Sequence, residues 1–212
     1  MTLDTVEQCV RWIGAADALV TLAVMLLGLA RCLTRPRGRA IGRANQMLRA
    51  PTYVIISIGY FGLWYILWRP VPLALPIPAR VAALILGALL LFSGLALVLW
   101  GRLTLGQMYN VSSAFGAQLY ADHRLITHGP FAMVRHPMYV GIIMASFGGL
   151  LIYRTWALVF AATTFLGLTI RARREEQALA AEFGVQWQAY CQQVPAWIPR
   201  LQRRSRDSAR DH

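Results

Sequence analysis

Five apolar segments, separated by short polar stretches, dominate the pattern of this chain. A helix needs about 20 apolar residues to cross a bilayer, within a range of roughly 17 to 25. The first three segments reach that length, and the last two are near its lower limit. The segments are Ile13–Ala30, Thr52–Trp68, Val81–Trp100, Met138–Tyr153 and Trp156–Ile170. The pattern predicts an all-α polytopic membrane protein with about five transmembrane helices.

The last two apolar segments are separated by only two residues, Arg154 and Thr155. So short a connection predicts a tight antiparallel helical hairpin, and the small residues Gly148–Gly149 and Ala161–Thr164 would let its helices pack closely. Beyond the hairpin, apolar residues recur at helical spacing between Glu175 and Gln193. This part of the sequence predicts a cytosolic C-terminal helix.

The arginines predict the orientation of the chain. All 21 basic residues are arginine, and the net charge is +12. Six arginines lie in residues 31–49, three in 102–135 and eight in 171–212, whereas the alternating loops and the N-terminal segment hold four. Because basic residues favour the cytoplasmic side, the N-terminus is predicted outside and the C-terminus in the cytoplasm. Since an all-arginine composition is compatible with a GC-rich bacterial genome, we expect the bacterial inner membrane.

Composition narrows the class of protein further. The chain is 57% hydrophobic and 14% charged, whereas soluble domains carry about 25% charged residues. We predict no nucleic-acid partner, because no basic stripe alternates with stacking aromatic residues. Asp4 and Glu7 precede the first apolar segment, which is the wrong flank for a cleaved signal peptide. That segment is therefore expected to be a retained anchor.

The distribution of cysteine and histidine predicts no metal site. The three cysteines are far apart and form no CxxC pair, so neither a disulfide framework nor a zinc site is indicated. Three histidines lie between the third and fourth apolar segments, at spacings that fit no common ligand pattern. These residues are Cys9, Cys32, Cys191, His123, His128 and His136.

Polar residues gather at both ends of the predicted hairpin. Arg135–Pro137 opens it, and Arg171 with Glu175 and Glu176 closes it. Because the hairpin reverses direction, both clusters should reach the same cytoplasmic face. Ionisable groups at a membrane boundary are costly to hold and usually serve a site. Adjacent carboxylates on a helix point about 100° apart, so one can face a pocket while the other does not.

The same residues resemble a known family. The RHPxYxG run over Arg135–Gly141, the apolar hairpin and the Glu175–Glu176 pair are similar to the isoprenylcysteine carboxyl methyltransferase family and its phospholipid methyltransferase relatives. The resemblance covers roughly Leu103 to Pro199. It implies an integral membrane enzyme that uses S-adenosylmethionine and methylates a small or lipid-like acceptor at a carboxylate, thiol or amine.

The resemblance also implies roles for individual positions. Arg171 is expected to hold the acceptor, and Glu175 to accept hydrogen bonds from the cofactor. Phe131 stands where the family often has tyrosine, so it is expected only to pack. The remaining expected cofactor contacts are His123, Arg124, Leu125, Ile126, His136, Pro137, Met138 and Tyr139. Arg135 or His136 could in addition meet the carboxylate of the cofactor.

The chemistry leaves several alternatives open. An ionised carboxylate or thiolate acceptor needs only alignment and exclusion of water. An amine or neutral thiol needs a base, for which His136, His123 and Glu176 are candidates. Other readings of the hairpin are an NADPH-dependent membrane reductase and a non-catalytic membrane binding protein. Labelled-cofactor binding would separate the first from a methyltransferase.

The apolar segments and the resemblance together predict three parts of the chain. Residues 1–101 are predicted to hold three transmembrane helices. Residues 102–200 are predicted to form the cofactor-binding core with the transmembrane hairpin, and residues 201–212 a disordered tail. The predicted partners are the lipid bilayer and a lipophilic or small-molecule acceptor.

Overall fold

The computed structural model describes residues 2–33, 37–42, 50–109, 112–113, 116–120 and 122–200. These residues are mostly helical, as predicted. The six described α-helices are α1 (Leu3–Leu33), α2 (Ala50–Leu67), α3 (Ile77–Leu105), α4 (Pro137–Tyr153), α5 (Trp156–Thr163) and α6 (Phe165–Gln193). Two short 3-10 helices, Gly106–Met108 and Gly129–Ala132, lie between α3 and α4. The predicted C-terminal tail lies outside the described residues.

A small antiparallel sheet is the one class of element that the all-α prediction missed. It consists of β1 (Arg37–Gly42), β2 (Ser112–Ser113) and β3 (Gly116–Tyr120), in the order β1-β3-β2. Leu119 of β3 packs against Ala178 of α6. The strands are short and lack a clear apolar alternation, so they depend on pairing across distant parts of the chain.

Two helices are long and apolar enough to cross a membrane, by length and composition. Within the described residues these spans are Leu3–Ala30 and Ile77–Met108, with only 17% and 28% of their most apolar windows buried in the protein. Such exposed apolar surface is typical of helices that face lipid rather than a soluble core. Val54–Leu67 and Pro137–Tyr153 are shorter apolar helices. The count of five spans therefore stays a prediction.

The predicted hairpin is formed, but its second arm is not one unbroken helix. The chain reverses at Arg154, which adopts a left-handed conformation (φ 52°), and Thr155. The predicted segment Trp156–Ile170 is interrupted at Thr164 and divided between α5 and α6. The predicted cytosolic helix is continuous with α6, which carries a non-helical residue at Gly184 (φ 49°).

Small residues bring α3 and α4 into close contact. A Cβ added to Gly148 of α4 would lie 2.3 Å from the backbone nitrogen of Leu91, and one added to Gly141 would lie 2.5 Å from the carbonyl oxygen of Gly94. Gly149 instead faces Leu158 of α5. The sequence assigned both Gly148 and Gly149 to the hairpin, and for Gly148 this was wrong because its face of α4 is covered by α3.

An ion-pair network joins three parts of the chain at the end where the hairpin turns. The nearly buried carboxylate of Glu7 accepts from Arg80 at 2.6 Å and from Arg11 at 2.8 Å, and it also pairs with Arg154. Arg11 donates in addition to the carbonyl oxygen of Ile152. The network connects α1, α3 and the hairpin turn, so a buried charge is paired rather than isolated.

Candidate functional site

A large open cavity lies where α3 ends and α4 begins, beside the middle of α6. About 1070 Å³ of space, open solvent at its mouth included, lies between its walls. All eleven residues predicted to contact the cofactor line it, and so does Arg171. Glu176 is the predicted site residue that does not. The structure thus brings together predicted cofactor contacts that are up to 52 positions apart in the chain, from His123 to Glu175.

The start of α4 is set by Pro137 and the residue before it. Pro137 is the first helical residue, where its missing N–H costs no hydrogen bond, and His136 precedes it in a non-helical conformation. The imidazole of His136 stacks on the ring of Tyr139, with 5.6 Å between centroids and 13° between planes. Both side chains are nearly buried. This geometry presents a rigid aromatic surface to the cavity.

The segment after α6 crosses the start of α4 and was missed by the sequence reasoning. The backbone N–H of Arg135 donates to Pro195 at 2.9 Å, and that of His136 donates to Ala196 at 3.1 Å. Trp197 then lies 5.3 Å from the His136 ring, centroid to centroid. Nothing local in the sequence indicated that this segment would pair with the start of α4.

Glu176 holds the residues that open the hairpin. Its Oε1 accepts from Arg135 Nε at 3.0 Å and lies 2.9 Å from His136 Nε2. Burial acts to raise the pKa of Glu176, but the hydrogen bonds and charges of His136 and Arg135 outweigh it, so the pKa lies below its ordinary value. Glu176 is therefore an ionised carboxylate behind the cavity wall, a placement that favours positioning over direct proton transfer.

Glu175 has different surroundings from its neighbour. The hydroxyl of Tyr139 donates to Glu175 Oε1 at 2.5 Å, and Arg171 Nε lies 3.6 Å from the same oxygen. The guanidinium carbon of Arg171 is 5.5 Å from the centre of the Tyr139 ring. The three side chains line the cavity together. An anion, a hydrogen-bond donor and a cation are thus placed side by side at its wall.

The far wall comes from the segment between β3 and α4. Leu125 packs against Trp187, Tyr190 and Val194. The Tyr190 hydroxyl donates to the carbonyl oxygen of Phe131 at 2.6 Å, and burial raises the pKa of Tyr190 to about 12, so this donor stays protonated.

Phe131 is 9% exposed, and its packing role at the cofactor stays a prediction. The sequence placed Tyr190 only among the apolar residues of the predicted C-terminal helix. The hydrogen bond from its hydroxyl to the carbonyl oxygen of Phe131 was not predicted.

Several lining residues are ones that the sequence did not single out as site residues. Met25 of α1 and the run Leu105, Met108 and Tyr109 at the end of α3 form an apolar wall. Within the residues that the structure describes, no group of three His, Cys, Asp or Glu side chains is placed to hold a metal ion. Both polar and apolar side chains line the cavity.

Comparison with known proteins shows which protein family the chain resembles. Residues 82–186 match the family described as Phospholipid methyltransferase. This range contains the RHPxYxG run, the hairpin and both glutamates. Over this range the chain is similar to that family, which is among those that the sequence resemblance indicated.

The individual relatives fall into two groups, isoprenylcysteine O-methyltransferases and methanethiol S-methyltransferases. The chain is 27% identical over 177 residues to a protein-S-isoprenylcysteine O-methyltransferase of Schizosaccharomyces pombe, covering 82% of this chain and 65% of the relative. It is 30% identical over 157 residues to a methanethiol S-methyltransferase of Pseudomonas deceptionensis, covering 72% and 60%. A methanethiol S-methyltransferase 2 of Bradyrhizobium diazoefficiens is 28% identical over 165 residues, covering 75% and 62%. The chain thus spans less than two thirds of the length of these relatives.

Proposed function

We propose that the protein is an integral membrane methyltransferase that moves a methyl group from S-adenosylmethionine to a small or lipid-like acceptor. The observation that carries the proposal is the cavity: all of the expected cofactor contacts and Arg171 line one space, next to two long apolar helices. The family match supports the reaction class.

The donors and acceptors in the cavity fit this cofactor. Glu175 is suited to the ribose hydroxyls or the ammonium group, as a charge-assisted acceptor. Arg135 and His136 suit the carboxylate, and the Tyr139 ring offers an apolar face to the adenine. When bound, the cofactor supplies a methyl group activated by a positively charged sulfur. The residues of the chain then have to align the acceptor and exclude water.

Arg171 is proposed to orient the acceptor. It lies on the cavity wall beside Glu175, and its planar guanidinium can hold a carboxylate in a bidentate way. The apolar wall from α1 and α3 would receive the carbon skeleton of the acceptor. Candidate acceptors follow from the two groups of relatives: a prenylated cysteine carboxylate or a small thiol such as methanethiol.

A ligand screen tests the proposal. Purified protein in detergent would be heated with S-adenosylmethionine, with its demethylated product, with NADPH and with no addition. We expect the first two to raise the Tm and NADPH to leave it unchanged. A rise with NADPH alone would favour a reductase, and binding of the first two without turnover on any acceptor would favour a non-catalytic protein.

A further inference from the structure

Arg102, near the C-terminal end of α3, is a buried cation that the site described above does not use. It is 7% exposed, and an arginine this buried is normally paired with a carboxylate. Among the described residues, no aspartate or glutamate forms an ion pair with it. Its Nε–H is also buried without a hydrogen-bond partner in that part of the chain. A buried guanidinium group without a carboxylate partner is energetically costly, so its presence here calls for a structural reason.

The guanidinium group of Arg102 holds the turn that follows α3. Nη1 donates to the carbonyl oxygen of Gly106 at 3.1 Å, and Gly106 has a positive φ of 50°. The guanidinium carbon lies 4.4 Å from the centre of the Tyr109 ring, which is within the range of a cation–π contact. Tyr109 lines the cavity. One side chain therefore fixes both the turn and the aromatic residue that the turn delivers to the cavity.

Helix α1 packs against the same guanidinium group of Arg102. A Cβ added to Gly28 would lie 2.3 Å from Nη2 and 2.4 Å from Nε of Arg102, so α1 and the guanidinium group are in close contact at this glycine. Met25, about one helical turn before Gly28, lines the cavity. Met25 and Gly28 lie outside residues 82–186, the range that matches the family. The expected cofactor contacts all lie within that range, so α1 adds to the cavity lining a residue that is not one of them.

We infer that Arg102 is a positioning residue for the acceptor: it fastens α1 to the turn after α3 and thereby sets the wall formed by Met25 and Tyr109. A methionine would fill a similar volume without the cost of burying a charge. Arginine provides what methionine lacks, a flat cation that stacks on one ring and donates to a carbonyl oxygen at the same time. The inference rests on the proposed function, because it names one wall of the same cavity as the acceptor side.

Kinetics of four variants test this role. Arg102→Met, Arg102→Lys, Tyr109→Leu and the double variant Arg102→Met/Tyr109→Leu would be assayed with methanethiol and with an S-prenylated cysteine. We expect each single variant to raise the KM of the acceptor about tenfold, as loss of a buried cation–π contact would. We expect the affinity for S-adenosylmethionine, measured by calorimetry, and kcat to change less than twofold. The acceptor KM of the double variant should not exceed that of the single variant with the higher KM, because both substitutions remove the same contact.

Arg173→Met is the matched control, since Arg173 is an exposed arginine on α6, and its kinetics should equal those of the unchanged protein. Amide hydrogen exchange of the protein without any ligand is a second, independent measurement. It should be faster in α1 around Gly28 in Arg102→Met and unchanged in Arg173→Met.

Several outcomes would overturn the inference. An unchanged acceptor KM in a folded Arg102→Met protein would do so, as would strictly additive effects or a loss confined to cofactor affinity. If Arg102→Met does not fold, Tyr109→Leu still decides, because its acceptor KM must rise if the wall matters. Failure of the unchanged protein to bind S-adenosylmethionine would instead refute the proposed function, and the exchange measurement would still report on the α1 contact.

Discussion

Glu175 and Glu176 are neighbours in the chain, yet α6 gives them separate tasks. Glu175 lines the cavity beside Tyr139 and Arg171, whereas Glu176 lies behind the wall and pairs with Arg135 and His136. The sequence predicted that one of the two would face a pocket. It could not predict that the other would meet the start of α4, because that contact joins residues 40 positions apart.

Glu175→Gln should weaken cofactor binding. A charge-assisted hydrogen bond contributes about 1.5–3 kcal/mol, so we expect the Kd for S-adenosylmethionine, measured by calorimetry, to rise at least about tenfold. Arg171→Ala should leave this Kd nearly unchanged and raise the KM of the acceptor. Glu182→Gln is the control, because Glu182 is exposed on the same helix. Equal cofactor affinities in the Glu175 and Arg171 variants would contradict the division of roles.

Glu176 should make stability depend on pH. Its pKa is lower in the folded protein than the ordinary value of 4.5. The ionised carboxylate therefore stabilises the fold above about pH 4.5, and this contribution is lost as the pH falls through the folded-state pKa. We expect the Tm of the unchanged protein to exceed that of Glu176→Gln at neutral pH and the two values to converge in acid. A constant difference across the titration would show that the pairing with Arg135 and His136 contributes nothing.

At the scale of elements, α3 and α4 are placed by glycines rather than by large apolar side chains. Gly141 and Gly148 bring the α4 backbone against α3 near Gly94 and Leu91. In lipid there is little hydrophobic drive to join two apolar helices, so close backbone packing has to supply the attraction. The sequence revealed the small residues, but it could not say which neighbouring helix they would meet.

Gly148→Ala should destabilise this helix pair. The new Cβ would lie 2.3 Å from a backbone nitrogen of α3, and backbone cannot move aside as a flexible side chain can. Overpacking of this kind costs about 1–3 kcal/mol. Gly59→Ala in α2 is a matched control, because nothing lies within 4 Å of its added Cβ. Thermal unfolding in detergent should show a lower Tm for Gly148→Ala only, and an equal Tm for both variants would be evidence against the packing argument.

At the scale of the molecule, α1 is held at both ends. Glu7 joins it to Arg80 and Arg154 at one end, and Gly28 rests on Arg102 at the other. The first contact lies at the hairpin turn, and the second lies beside the cavity. If α1 and α3 span the bilayer, the cavity and the Glu7 network must lie near opposite membrane surfaces.

The arginine distribution predicts that the cavity lies on the cytoplasmic side. Alkaline phosphatase fused after residue 200 should therefore be inactive in a bacterial host, and green fluorescent protein fused at the same point should fluoresce. Fusions near Pro72, between the second and third apolar segments, should behave in the opposite way, because the same distribution predicts that this loop is outside. Active phosphatase at the C-terminal position would reverse the proposed orientation and remove the cytosolic cofactor from reach of the site.

The sequence alone determined the helical class, the hairpin and a set of candidate site residues, because these depend on apolar run length, a two-residue connection and a specific motif. It did not determine the sheet, the break at Thr164, or the contacts of Trp197, Tyr190 and Arg102. Those features arise from residues distant in the chain, whose local patterns are weak or equally compatible with a plain helix face. Only packing in three dimensions decided which groups line the cavity and which stand behind it.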